Sequence, residues 1–181
     1  MSARGNTKEL SAVRICPLVA LFLCLAIASA HAQSSPWLPE EERIKVDLSG
    51  TFETVTGERI RLNDLTGKVV FLNFWATWCG PCRAEMPSIS DLHESLSRKG
   101  LEIIAVSDEH PDIVGQFLER SPYPFRVLVD TEAQLAARLR IGSIPWTLIF
   151  DKNGKLVHFH QGARLWNTPD IKANVLALLS E

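Results

Sequence analysis

The sequence has no excess of basic residues. Its 19 Lys and Arg stand against 21 Asp and Glu, giving a formal charge of −2, and the cations are scattered rather than clustered. No nucleic-acid partner is expected of such a chain. It has no internal repeat, no low-complexity tract and no run of heptads. With 46% apolar and 22% charged residues the composition is ordinary for a globular protein, which excludes disordered and collagen-like classes. At 181 residues the chain can bury one well-packed core, and hardly two.

Cysteine is scarce as well: four residues, two of them among the first 24. The N-terminal stretch carries Arg4, Lys8 and Arg14 against Glu9, followed by the uncharged apolar run "LVALFLCLAIASA" at 18–30 and then "AHAQSS". This order reads as a secretory signal peptide over 1–32, cut after Ala32. The run is short for a membrane span, which takes roughly 20 apolar residues, so an uncleaved anchor that tethers the chain to a membrane is the alternative. Cleavage would remove Cys16 and Cys24 and take the charge from −2 to −4. The mature chain then keeps Cys79 and Cys82 alone, too few for a disulfide scaffold. Export places the protein in the periplasm or another extracytoplasmic space.

Residues 33–45, "QSSPWLPEEERIK", read as a Pro-, Ser- and acid-rich linker to a domain over 46–181. Within it, "GTFETVTGERIRLNDL" predicts a hairpin around Thr56-Gly57. The near-continuous apolar runs "VVFLNFW" (69–75) and "LEIIAVS" (101–107) predict strands buried on both faces. Ile89, Leu92 and Leu96 fall at helical spacing after the cysteines, before Gly100. "PDIVGQFLER" predicts a helix with Pro111 in its first turn, "FRVLV" a strand, and "EAQLAARLR" a further helix. The Asn153-Gly154 pair predicts a hairpin between "WTLIFD" and "KLVHFHQ". "TPDIKANVLALL" predicts a closing helix with Thr168 as N-cap. Strands alternating with helices, then a hairpin, define an α/β class with a central mixed β-sheet flanked by helices.

Between a buried strand and a helix, "WCGPC" puts Cys79 at a helix N-terminus, where free N–H groups and the dipole favour an anion. A thiolate is such an anion, so the Cys79 thiol is expected below its free value. Cys82 lies one turn on and deeper, close enough to bond to it. Gly80 leaves the thiolate uncovered, and Pro81 is tolerated in the first turn. The chemistry expected is attack by Cys79 on a partner disulfide and resolution by Cys82. A structural staple would restrain almost nothing across so small a loop. A zinc site needs about four ligands, and the mature chain has no second CxxC. Neither a metal nor a cofactor is expected.

The run "NFWATWCGPCRAEMP" (73–87), with Pro87 after the second cysteine, resembles the active-site segment of thioredoxin-fold proteins. "RIGSIPWTLIFDKNGKL" is similar to the segment carrying that family's cis-proline, here Pro145 after Ile144. The leader, the wording of the motif and the stretch 108–129 are closest to the TlpA/ResA branch of exported thiol:disulfide oxidoreductases, and the likeness covers about 46–179. It implies a thioredoxin-like fold with an N-terminal β-hairpin and a central helix–strand insertion. It further implies that Pro145 lies against the disulfide and that the Ile144 backbone pairs with a substrate strand. Where thioredoxin has a buried carboxylate, this chain has Asn73, so proton handling for Cys82 falls to another acid. By resemblance that acid is Glu109, or Asp108; both also read as solvated acids at a helix start.

Trp75 reads as core, and Trp78 as a cover for the disulfide or a substrate contact. Trp146 either narrows access or packs on the sheet. Glu85 reads as a first-turn helix acid, and His158 with His160 as an exposed pair on one strand face. Three functions compete. The first is an extracytoplasmic reductase of client-protein disulfides, which the resemblance links to cytochrome c maturation or copper-site assembly and to a membrane thiol reductase of DsbD/CcdA type as electron donor. The second is an oxidant or isomerase, and the third a copper-binding module using the CxxC. No cation separates the cysteines to stabilise the thiolate, and the Gly-Pro spacer therefore leans to the first.

Overall fold

The computed structural model describes residues 37–181; the leader, Cys16, Cys24 and the cleavage position after Ala32 lie outside the described residues. In chain order the elements are β1 (Ile44–Lys45), β2 (Thr51–Thr54), β3 (Arg59–Arg61), β4 (Val69–Phe74), α1 (Gly80–Leu96), β5 (Leu101–Ser107), α2 (Pro111–Arg120), β6 (Arg126–Val129), α3 (Gln134–Arg138), β7 (Trp146–Phe150), β8 (Lys155–Gln161) and α4 (Pro169–Ser180). The strands form one mixed sheet in the order β1-β8-β7-β4-β5-β6-β2-β3. Strand β4 runs parallel to β5 and antiparallel to β7, and β5 runs parallel to β6. This is the α/β, thioredoxin-like arrangement expected.

The apolar run of β4 is buried at all six positions because the strand is central and covered on both faces. Its side chains alternate. Val69 and Phe71 join the core formed with Met86, Ile89 and Leu92 of α1 and with Ile171 and Val175 of α4. Val70, Leu72 and Phe74 join the opposite core, under Leu135 of α3 and residues 48–62. Asn73 has the parity of Val69 and Phe71 and so faces α1. The inserted pair α2–β6 does more than widen the sheet: β6 carries β2 on its free edge, so the N-terminal hairpin docks through the insertion.

Several local expectations are altered by packing. The helix expected over 132–140 is only Gln134–Arg138, because Ala133 and Arg140 take left-handed φ of 50° and 54° and bound it. Asp130 caps its start, accepting from the amides of Gln134, Leu135 and Ala136. The stretch expected as linker is bound to the domain wherever it is described. Trp37 stacks on His158 at 4.6 Å, and Leu38 N–H donates to the Val157 carbonyl at 2.7 Å. Strand β1 pairs with β8. Arg43 meets Glu181 through two bonds of 2.6 and 2.7 Å and buried Asp151 at 3.1 Å. A Pro- and acid-rich composition did not foretell this, since the partners lie more than 100 residues away. No helix among the described residues is long and apolar enough to cross a membrane.

Candidate active site

Strand β4 delivers its chain to the sheet's end, and α1 begins directly beyond. Cys79 is the N-cap of α1 in extended geometry, and its sulfur accepts from the Cys82 amide at 3.2 Å. Gly80 and Pro81 occupy the first two helical positions, where an N–H has no intrahelical partner to lose. Cys79 and Cys82 are joined by a disulfide, with Cα atoms 5.3 Å apart. Cys82 is fully buried, and Cys79 is the outer member at 5% exposure. Pro87 sits inside α1, where it removes the bond to the Arg83 carbonyl.

The surroundings divide by face. Trp78 is 71% exposed, unusual for a tryptophan, and stands beside the disulfide. The Ile144–Pro145 peptide bond is cis. A cleft of about 260 Å³ is lined by Trp78, Ile144, Phe74, Trp75 and Asp108. On the other side of Gly80 a groove of about 590 Å³ runs past Arg83, Pro87, Phe117 and Tyr123. Trp75 is core, against Phe117 and Tyr123 of the insertion.

One helical turn beyond Cys82 on α1 lies a buried carboxylate. Glu85 is 2% exposed and its side chain accepts three bonds: from Asn73 Nδ2 at 2.8 Å, Trp166 Nε1 at 2.9 Å and the Arg164 amide at 3.2 Å. Asn73 Nδ2 also donates to Thr147 Oγ1 at 2.9 Å. Burial pushes the Glu85 carboxyl above its ordinary range, against these three bonds, which pull it down.

Residues 45–159 match the AhpC/TSA family. The chain belongs to that family. Two ResA thiol-disulfide oxidoreductases are among its relatives. The Bacillus cereus protein is 34% identical over 144 residues, covering 77% of this chain and 82% of the relative. The Oceanobacillus iheyensis protein is 41% identical over 112 residues, covering 61% and 58%. Among solved structures, a Chlorobium tepidum protein assigned as thiol:disulfide interchange protein DsbE shares 29% identity at a TM-score of 0.66, over 81% of this chain and 98% of that one. A secreted thiol-disulfide isomerase from Corynebacterium glutamicum superimposes with a TM-score of 0.72 over 84% and 95%; at 22% identity it bears on the fold alone. The chain is thus a thioredoxin-fold thiol–disulfide oxidoreductase of ResA type, and its CxxC is the Cys79–Cys82 pair.

Glu85 and the histidines of β8 lie elsewhere than the sequence suggests. Glu85 is not a first-turn acid: it lies beyond the first turn of α1 and is buried. The apolar stripe Ile89, Leu92, Leu96, extended back by four residues, lands on Glu85, so helical periodicity places it on the buried face. That signal was present in the sequence. Trp166, with no motif around it, was not findable that way.

His158 and His160 do not share an exposed face. His158 is 1% exposed, and both rings lie against Trp166, at 6.3 and 5.7 Å, because the segment after β8 folds over that side of the sheet. Trp146 packs partly buried in the core on the α3 side.

Glu109 is half-buried, and Asp108 is exposed. The Glu109 carboxylate accepts from the Thr77 amide and hydroxyl, both at 2.6 Å, and from Ser107 Oγ at 3.1 Å. It thereby holds the loop between β4 and α1 onto the end of β5. Glu109→Gln is expected to lower stability by about 1 kcal/mol, through weakened bonds to Thr77. The rate–pH profile of disulfide reduction should keep its midpoint; a shifted midpoint would return Glu109 to the proton-handling role.

Proposed function

We propose that this protein is an exported dithiol reductase of disulfides in extracytoplasmic client proteins. The observation that carries this reading is a redox pair capped on a helix N-terminus with no cation between its cysteines. In the reduced protein the Cys79 thiolate takes the position of the capping sulfur, where the Cys82 N–H and the helix dipole stabilise it. It attacks one sulfur of the client disulfide. That S–S bond breaks, the leaving sulfur departs with the bonding pair and takes a proton, and a mixed disulfide forms. Cys82, as thiolate, then attacks the Cys79 sulfur and releases the second client thiolate. Two electrons have passed to the client, and the Cys79–Cys82 disulfide is the product.

Cys82 is buried and needs a local base to lose its proton. We assign that role to Glu85, one turn further along α1, whose carboxyl burial raises above its ordinary range. Trp78 and Ile144 border the cleft that would receive the client strand, and Pro145 follows Ile144 across the cis bond.

A secretory leader supports export, with cleavage after Ala32 or retention as a membrane tether. A reductant in an oxidising periplasm needs resupply, which fits a membrane thiol reductase of DsbD/CcdA type. Clients of the cytochrome c haem-attachment or copper-site class would present the exposed dicysteines this chemistry requires.

The reduction potential tests the direction. A value near thioredoxin's, about −270 mV, is expected; one near DsbA's, about −120 mV, would make the protein an oxidant. Tight copper binding by the reduced protein, lost in Cys79→Ser, would favour the copper module. In Cys82→Ala the mixed disulfide cannot resolve, and clients should accumulate linked to Cys79 for direct identification. An empty trap would overturn the reading.

A further inference from the structure

The segment between β8 and α4 is stitched to α1 at three successive positions of one helical face. Arg164 N–H and Trp166 Nε1 donate to Glu85, the Trp166 amide donates to Ser88 Oγ at 3.0 Å, and Asn167 Nδ2 donates to Asp91 at 2.7 Å. Spacing of three along a helix places 85, 88 and 91 on one side. The same segment begins on the substrate side of the site, where the Gly162 amide donates to the Pro145 carbonyl at 2.8 Å. Trp166 is wholly buried, edge-on to Phe71 at 4.8 Å, with the Arg164 guanidinium over its face at 5.0 Å. Its ring is therefore immobilised, and its one polar atom points at the Glu85 carboxylate.

We propose that Trp166 is a positioning residue for Glu85, and that the segment 162–167 couples the Pro145 turn to that buried carboxylate. The proposal rests on the assignment of Glu85 as the base for Cys82. A strand seated against Ile144 and Pro145 presses on the turn whose carbonyl holds Gly162. Two residues on, the Arg164 amide is on Glu85, so client docking and proton transfer share one short piece of backbone.

The groups that face this carboxylate are few. From β4 comes neutral Asn73, and from β7 neutral Thr147 behind it. From the segment itself comes Arg164, whose charge also reaches Asp170 at 4.0 Å. His158 and His160 of β8 lie behind the indole. Burial and the Arg164 charge hold His160 below the usual imidazole range. Along α1 itself, Cys82 is the neighbour one turn back. Because the indole N–H stabilises the ionised carboxylate, its loss favours the protonated form and moves the ionisation to higher pH.

The test is the rate–pH profile of client-disulfide reduction by the full chain, in wild type, Glu85→Gln, Trp166→Phe, the double variant and His160→Gln. Phenylalanine keeps the ring packing and removes the N–H. Glu85→Gln should abolish the acidic limb due to the carboxylate, and Trp166→Phe should shift that limb upward by about one pH unit. The double variant should match Glu85→Gln alone, and His160→Gln should leave the limb in place. A limb removed by Glu85→Gln but unmoved in Trp166→Phe overturns the role of Trp166 and leaves that of Glu85 intact. A profile unchanged in Glu85→Gln overturns the Glu85 assignment itself. Loss of the limb in His160→Gln would assign it to the imidazole and overturn both. Should Trp166→Phe fail to fold, the indole ¹⁵N resonance of Trp166 in the reduced wild type serves instead. It should titrate with the midpoint of the limb; a flat resonance overturns the coupling.

Discussion

Replacing Cys79 by serine should lower the rate of client-disulfide reduction by at least ~10³-fold, the scale of loss when a covalent nucleophile is removed. The hydroxyl is not ionised at neutral pH, and Cys82, with no exposed surface, cannot reach a client in its place. The fold should survive. Serine is a favoured N-cap and can accept from the Cys82 amide as the sulfur does. The lost disulfide closes a loop of only three residues' separation, so it restrains little of the unfolded chain. Unfolding curves and insulin-type reduction assays on one preparation separate the two effects. Activity above a tenth of wild type would remove Cys79 from its role.

Arg43→Ala should destabilise the protein by about 3 kcal/mol, because it strands a buried carboxylate. Asp151 is 1% exposed and sits at the turn between β7 and β8, where its side chain also accepts from the Asn153 and Lys155 amides. Those amides remain in the variant, but the only cation paired with it among the described residues is gone. For a domain of this size the melting temperature should fall by about 6–12 °C.

The pH dependence has a definite sign. Hydrogen bonding to Arg43 holds the Glu181 carboxyl below its ordinary range, so that contribution is present above the unfolded value and is lost as pH falls through the folded one. The gap between wild type and variant should therefore narrow in acid. A melting temperature within about 2 °C of wild type would rank Arg43 with screened surface ion pairs.

Glu85 and Asn73 show how a motif can display both residues and still hide their pairing. The sequence places an amide where thioredoxin carries its buried acid, which by resemblance points outside the motif, to Glu109 or Asp108. The structure puts a carboxylate against that amide from the facing helix, inside the same run of fifteen residues. Here the buried carboxyl comes from the helix rather than from the strand. Glu109 ties the loop before the cysteines to β5.

What the sequence by itself determined is whatever depends on neighbours along the chain. The runs of β4 and β5, the stripe of α1 and the Asn-Gly turn are set by periodicity and turn chemistry. The redox pair is set by two cysteines one helical turn apart. Tertiary structure alone decided the rest: that Arg43 belongs to the domain, that the histidines of β8 face inward, and that Trp166 reaches Glu85. The Arg43–Glu181 and Trp166–Glu85 contacts join residues 138 and 81 positions apart. Pairing at such distance is chosen by which faces the folded sheet brings together, and no local pattern carries that information.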